Sequence, residues 1–261
     1  MPDIREITEF LEKTAPAELA ESYDNVGLLI GNGGEDIPCV LLTLDTELAV
    51  AEEARELGAP LIISHHPLIF DPVKKITTET ETGRTIISLI KNDIQLFAMH
   101  TNFDSAEGGL CDYLTEKIFG AGSYPAMDGG GASGTGRIAT LAEPITLSAL
   151  CERIKSALGL SSLRCVGDGE GLIKKAAVVG GGGGSMTREA HHSGADVYIS
   201  GDFKYQHGRD AAGMNMALIE ITHYDAEIIF TEYVKRLLHG RFGDSLKIFT
   251  SRKNKNVWRT V

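Results

Sequence analysis

Six side chains suited to holding a metal ion fall in three short stretches of the chain. His65 and His66 follow the apolar run Leu61-Ile62-Ile63, His100 and Asp104 follow the run from Ile94 to Met99, and His223 and Glu227 follow Ala217 to Ile221. The set offers imidazole and carboxylate and no thiolate, a donor chemistry that suits Zn, Mn, Fe, Ni or Co better than sulfur-selective ions. Two carboxylates in such a set could bridge two ions ~3.5–4 Å apart, and a water between those ions would ionise near neutral pH and act as a nucleophile. Taken singly, each pair has an ordinary reading. Adjacent histidines can sit on a polar loop, a His-x-x-x-Glu pair on a solvated helix face, and Asp104 can cap a helix. Taken together they share one property: each follows an apolar strand, and parallel strands bring their carboxyl ends to one edge, where open α/β sheets place their ligands.

The elements that would position them can be read in order. Ile4, Ile7, Phe10 and Leu11 have helical spacing over residues 3–13, with Pro16 as the stop. Tyr23-Asp24-Asn25 reads as a turn, Leu28 to Ile30 as a short strand and Val40 to Asp45 as a buried one. Thr46 is a candidate cap for a helix running to Leu57, with Gly58 closing it. The strand Leu61 to Ile63 follows, ended by Pro67, and this strand–helix–strand order implies a parallel unit with a right-handed crossover. A helix is expected from Gly83 to Lys91, a strand from Ile94 to Met99, and a helix over residues 108–119 with Leu110, Tyr113, Leu114 and Ile118 on its apolar side.

Residues 120–136 are rich in glycine and turn formers and read as a connection or surface loop. Beyond them the alternation resumes. Strands are expected at Gly136 to Leu141, Ser162 to Val166, Lys175 to Val179, Asp196 to Gly201 and Ala217 to Ile221. Helices are expected from Leu147 to Leu158 with Thr146 as cap, from Met186, over Asp202 to Ala212, and from His223 to about His239. A last strand, Leu246 to Phe249, precedes a polar tail read as loose. The tract Gly180–Gly184 lies between strand and helix, where backbone N–H groups can cradle an anion. It lacks the Lys-Ser/Thr of a phosphate loop, so close strand–helix packing is the preferred reading and a dinucleotide site ranks lower. His207 lies beside Lys204 and Arg209 and could face an anionic ligand or simply solvent. His191, His192 and His239 sit in last helical turns, which favour a cation.

The 261 residues allow one large or two modest domains, and 43% apolar with 23% charged residues is ordinary for a soluble globular chain. No apolar run approaches the ~20 residues that span a bilayer, and no secretory signal is visible at Met1-Pro2-Asp3-Ile4-Arg5-Glu6, so a cytoplasmic location is expected. Cys39, Cys111, Cys151 and Cys165 form no C-x-x-C pair, so free thiols are expected and a thiolate zinc site is not. A net charge of −11 argues against extended nucleic-acid binding, while leaving room for a small anion in a locally positive pocket.

Five blocks of this chain resemble the signature blocks of the NIF-three-like family, also called GTP cyclohydrolase I type 2 homologs. They are Tyr23-Asp24-Asn25-Val26-Gly27-Leu28, Ser64-His65-His66-Pro67-Leu68-Ile69-Phe70, His100-Thr101-Asn102-Phe103-Asp104, Asp196-Val197-Tyr198-Ile199-Ser200-Gly201-Asp202 and His223-Tyr224-Asp225-Ala226-Glu227. They occur in the family's order and span nearly the whole chain, which is similar to the short form without the family's long extra insertion. The resemblance implies a toroidal homohexamer with a dinuclear metal centre facing an internal cavity. By resemblance, His66 and Asp104 would bind one divalent ion, His65 and His223 a second, and Glu227 both, with His100 a candidate acid/base or supporting group. The chain departs from the family pattern at Thr222, where glycine is usual, and in the block Lys204-Tyr205-Gln206-His207. The fold expected is α/β: two α/β lobes with mixed, largely parallel sheets covered by helices, the second lobe inserted into the first. By resemblance, residues 1–125 with 220–261 would form the metal-binding lobe and 126–219 the insertion. The function expected is a dinuclear-metal-dependent hydrolase acting on a nucleotide or related small molecule, a metal-bridging water being the nucleophile, with Glu227 and His100 as catalytic groups. The alternative is a non-catalytic metal store or toroidal scaffold.

Overall fold

A computed structural model of the chain describes residues 1–32, 34, 36–129 and 131–258. Gly130, in the glycine-rich connection, and residues 259–261, the end of the polar tail, lie outside the described residues. The elements in chain order are α1 (Ile4–Thr14), β1 (Gly27–Ile30), β2 (Cys39–Thr43), α2 (Leu48–Leu57), β3 (Leu61–Ser64), α3 (Glu81–Lys91), β4 (Gln95–Ala98), α4 (Thr101–Ser105) and α5 (Leu110–Phe119). They continue as β5 (Arg137–Thr146), α6 (Leu147–Leu158), β6 (Arg164–Val166), β7 (Leu172–Val178), α7 (Thr187–His192), β8 (Val197–Ser200), α8 (Tyr205–Gly213), β9 (Ala217–Glu220), α9 (His223–Glu227), α10 (Ile229–Phe242) and β10 (Lys247–Thr250).

The fold is α/β, and the described residues form two five-stranded mixed sheets, β1-β4-β3-β2-β10 and β5-β7-β8-β9-β6. In the first, β10, β2, β3 and β4 are parallel and only β1 is antiparallel. In the second, β7, β8 and β9 are parallel and the edge strands β5 and β6 are antiparallel. Strands β2, β3, β4 and β8 are buried at every position, which explains why they read as unbroken apolar runs without alternation. By internal contacts the chain divides into Met1–Phe103 with Phe230–Val261, and Asp104–Ile229. This seam lies ahead of α5, whereas the glycine-rich composition shift lies after it.

Local signals account for most element ends. Asp3 caps α1 in a reciprocal box with Glu6, and Thr80 and Thr146 cap α3 and α6 through their hydroxyls. Gly58 takes the left-handed conformation (φ 64°) that closes α2. Thr46 is a correction: α2 begins one residue later than that cap would require, after Glu47, with no side-chain cap. Asp104 does not cap α5 either; it lies inside α4, and Gly109 precedes α5. The last long helix is broken at Ile228, leaving α9 as a separate short helix capped by Thr222.

Two anchors were not expected. The first is Arg137, wholly buried at the start of β5. Its Nε and Nη2 each donate to the Asp112 carboxylate at 2.8 Å, its Nη1 to the carbonyls of Gly134 and Gly136 at 2.7 Å, and its Nη2 to the Ala106 carbonyl at 2.6 Å. The guanidinium therefore ties α5, the chain after α4 and the end of the glycine-rich connection to one point.

The second anchor corrects the expectation of a loose tail. Asn254 Oδ1 accepts from the Thr43 hydroxyl at 2.6 Å, from the Leu44 N–H and from the Asp45 N–H at 3.2 Å. The buried Glu53 carboxylate accepts from Ser251 Oγ at 2.6 Å and from the Arg252 N–H. Asn254→Ala removes the acceptor for groups on buried backbone. It is expected to lower stability by about 1–3 kcal/mol, read as an earlier urea midpoint at unchanged slope.

Candidate metal centre

His65 and His66 sit where β3 leaves the sheet. The parallel ladder to β2 continues into the corner, the His65 N–H donating to Thr43 O at 3.3 Å and the His66 N–H to Leu44 O at 2.9 Å. The backbone therefore fixes where each imidazole starts. Next to β3, β4 ends in Met99 and His100, with the Met99 N–H donating to Ser64 O at 2.9 Å. The three rings meet, with centroids 5.1 Å apart for His65 and His66, 5.3 Å for His65 and His100, and 5.5 Å for His66 and His100. Each offers a ring nitrogen, and those nitrogens lie within 4.8 Å of one another. Phe230 packs on the fully buried His65 ring at 5.2 Å and Phe70 on His100 at 6.2 Å, giving this corner an apolar wall.

In the unit Asp104–Ile229, Thr222 caps α9 and places His223 and Glu227 one turn apart on a shared face. His223 Nε2 lies 3.1 Å from Glu227 Oε2, and the Glu227 side chain is buried. The Gly180–Gly184 loop after β7 runs against this pair. A Cβ on Gly181, which has φ +59°, would collide with Glu227 Oε1. One on Gly182 would stand 3.2 Å from Asp202 Oδ2 and one on Gly184 2.6 Å from the His207 ring. The glycines therefore let the side chains of Glu227, Asp202 and His207 approach the backbone closely, where the sequence favours strand–helix packing as their role. The helix that follows, α7, has only six residues. His207 turns inward to this loop, and its Nδ1 accepts the Lys204 N–H at 3.1 Å, capping α8. Asp104 lies in α4 and acts on Cys111: burial first, and then the Asp104 charge, pushes that thiol up to about 12. A thiol so disfavoured as thiolate leaves this donor set to nitrogen and oxygen.

Sequence reasoning missed the partners of the rings. His65 Nδ1 donates to Met99 O at 2.7 Å. His66 Nδ1 lies 2.7 Å from Asp45 Oδ1, His100 Nδ1 2.8 Å from Asp24 Oδ1, and His223 Nδ1 2.8 Å from Asp202 Oδ2. A carbonyl or carboxylate oxygen only accepts, so each Nδ1 carries the proton and Nε2 is the nitrogen each ring offers a cation. This outer shell of acceptors is the usual support of metal-binding histidines. Asp45 and Asp202 lie two residues past the ends of β2 and β8, the same kind of position that exposed the histidines, and that signal could have found them.

Asp24 is held hardest. Burial pushes its carboxyl up, but hydrogen bonds from His100 and Thr101 and the His100 charge outweigh it and leave the group well below the usual carboxylate range. Its other oxygen accepts from the Thr101 N–H at 3.0 Å and from the Thr101 hydroxyl. A depressed carboxylate contributes stability that is fully present above its ordinary value of 3.8 and is lost as pH falls through the folded value. In Asp24→Asn the acid-side loss of stability is expected to become shallower and stability at pH 7 to fall, checked by urea unfolding between about pH 2 and 7.

The chain is thus an α/β protein with two mixed sheets that carries His and His/Glu groups that could hold a metal ion. The Duf34/NIF3 (NGG1p interacting factor 3) family model matches residues 2–257, and the chain belongs to that family. It is 39% identical over 261 residues to a "GTP cyclohydrolase 1 type 2 homolog" of Clostridium perfringens, covering 99% of both chains. It is 33% identical to the protein of the same name from Clostridium acetobutylicum, covering 96% of each. Among solved structures it is similar to the Staphylococcus aureus hypothetical protein SA1388, with a TM-score of 0.90, 30% identity and 99% of each chain covered. Among the described residues no helix is long and apolar enough to cross a membrane.

Proposed function

We propose that this protein is a divalent-metal-dependent hydrolase of a nucleotide or related small molecule. The observation that carries this reading is the placement of four histidines, each with Nδ1 within hydrogen-bond distance of a carbonyl or carboxylate oxygen, which assigns Nε2 as the ligand nitrogen. The donor chemistry fits Zn, Mn, Fe, Ni or Co, and the curated relatives named GTP cyclohydrolase 1 type 2 homolog support a nucleotide-like substrate. The ligands proposed are His66 and Asp104 for one ion, His65 and His223 for the other, and Glu227 for both. When bound, such ions supply Lewis-acid polarisation and water acidified toward neutral pH.

The chain's own residues supply the rest. Asp24 keeps the His100 proton on Nδ1, so His100 Nε2 is free to take a proton during attack and return it to the leaving group. Asp45 and Asp202 hold His66 and His223 in their tautomers. Phe230 packs against the His65 ring and Phe70 against the His100 ring, placing an apolar surface beside them.

The test is to load the protein with Zn, Mn or Fe and assay GTP and related nucleotides. Turnover that Asp104→Ala and Glu227→Ala abolish is expected. Metal retained without turnover on any ion would overturn the hydrolase and favour a metal store. A ring-shaped homohexamer is proposed on the family resemblance, and a monomer in analytical ultracentrifugation would overturn it.

A further inference from the structure

We propose that a cavity of about 480 Å³ at the β6 edge of the second sheet binds a planar aromatic anion about the size of a nucleoside monophosphate. The proposal stands apart from the metal reading, because none of the ligands proposed above lines this cavity.

The cavity's size lies in the range of small-molecule sites, roughly 300–1,000 Å³. Its apolar wall is Val166, Leu218, Ala212 and the half-buried ring of Phe203, which is held edge-on by Tyr198 with centroids 5.5 Å apart. Tyr205 stands at the mouth with 80% of its surface exposed, and among the described residues no other ring stacks on it. An exposed aromatic face beside an apolar wall is where a flat ring gains most by leaving water.

Charge selects the rest of the ligand. Arg164, Lys204 and Arg209 all line the cavity, in a chain whose net charge is −11. The acid among the lining residues is Glu220, and it is already engaged. Its Oε2 accepts from Arg164 and its Oε1 accepts the Phe203 N–H at 3.1 Å. Lys204 and Arg209 form no ion pair among the described residues, so their charge faces the cavity uncompensated. A group carrying phosphate or carboxylate meets two cations there, and a neutral ring meets only the wall.

The thiol of Cys165 provides a local reporter. It is exposed and lines the cavity, whereas Cys39 and Cys111 are buried, and burial and then the Cys165 neighbour push Cys151 up to about 11. Alkylation by iodoacetamide is therefore expected to fall first on Cys165.

The experiment titrates the full-length protein with AMP, adenosine and inorganic phosphate by calorimetry, and measures whether AMP protects Cys165 from alkylation. AMP is expected to bind at least about tenfold more tightly than adenosine or phosphate and to protect Cys165. Arg209→Glu, which reverses a rim charge, and Ala212→Trp, which fills the cavity from an exposed helix position, are each expected to weaken AMP by about tenfold or more. Both should keep the wild-type melting temperature and metal content. Glu227→Gln is expected to bind AMP as the wild type does, which separates this site from the proposed metal ligands. Absence of AMP binding, binding without protection of Cys165, or undiminished affinity in both cavity variants would overturn the proposal.

Discussion

Arg137→Met is expected to lower the folding stability of the protein by about 3–5 kcal/mol. The methionine replaces most of the buried volume but none of the donors. Asp112 loses two charge-assisted hydrogen bonds, and the carbonyls of Ala106, Gly134 and Gly136 lose their shared donor. An acid and three carbonyls left without that donor cost far more than the ion pair contributes in net terms. Arg137→Lys is expected to recover little, because an ammonium cannot reach two carboxylate oxygens and three carbonyls in a planar fork. Arg137→Met combined with Asp112→Leu should recover part of the loss by removing the stranded charge. Chemical denaturation of the three variants checks this, and a loss below about 1 kcal/mol for Arg137→Met would show that the network adds little.

Glu227→Ala is expected to cut metal affinity by at least about 100-fold and, with it, any metal-dependent activity. Glu227 is the carboxylate proposed for both ions. It lies 3.1 Å from His223 in a buried position, so no exposed side chain on α9 can replace it. Gly181→Ala is the matched variant, since it keeps every donor but drives a methyl group into Glu227 Oε1 at a backbone φ of +59°. Its effect on metal content should lie between wild type and Glu227→Ala. Elemental analysis after dialysis and a competition titration with a chelator measure both. Wild-type metal content in Glu227→Ala would remove the carboxylate from the proposal.

Most of the strands were legible because burial on both faces writes them as unbroken apolar runs, and β2, β3, β4 and β8 all carry that signature. The candidate histidines were legible because strand tips announce themselves by an abrupt change from apolar to polar. Their partners were not, because the hydrogen bond from His100 to Asp24 joins residues 76 positions apart and that from His66 to Asp45 joins residues 21 apart. No periodicity records such a pairing. Arg137 escaped for a related reason: a lone cation opening a strand reads as a surface residue until its carbonyl partners fold around it. The tail misled in the opposite way, since Asn254 and Ser251 look like solvent-facing polar residues and prove to be acceptor and donor for buried groups. The break at Ile228 also left no mark, as α9 and α10 share an uninterrupted helical composition.

The first sheet has a consequence for how the chain is made. Its edge strand β10 pairs with β2, Lys247 lying against Cys39, so two segments that must zip together leave the ribosome more than two hundred codons apart. At ordinary elongation rates β2 waits roughly 10–40 s for its neighbour. The stretch Asp104–Ile229 is contiguous and emerges whole within that interval. The nascent chain therefore carries the exposed margin Cys39-Val40-Leu41-Leu42-Thr43 through most of its synthesis, the kind of sticky template that chaperones exist to cover.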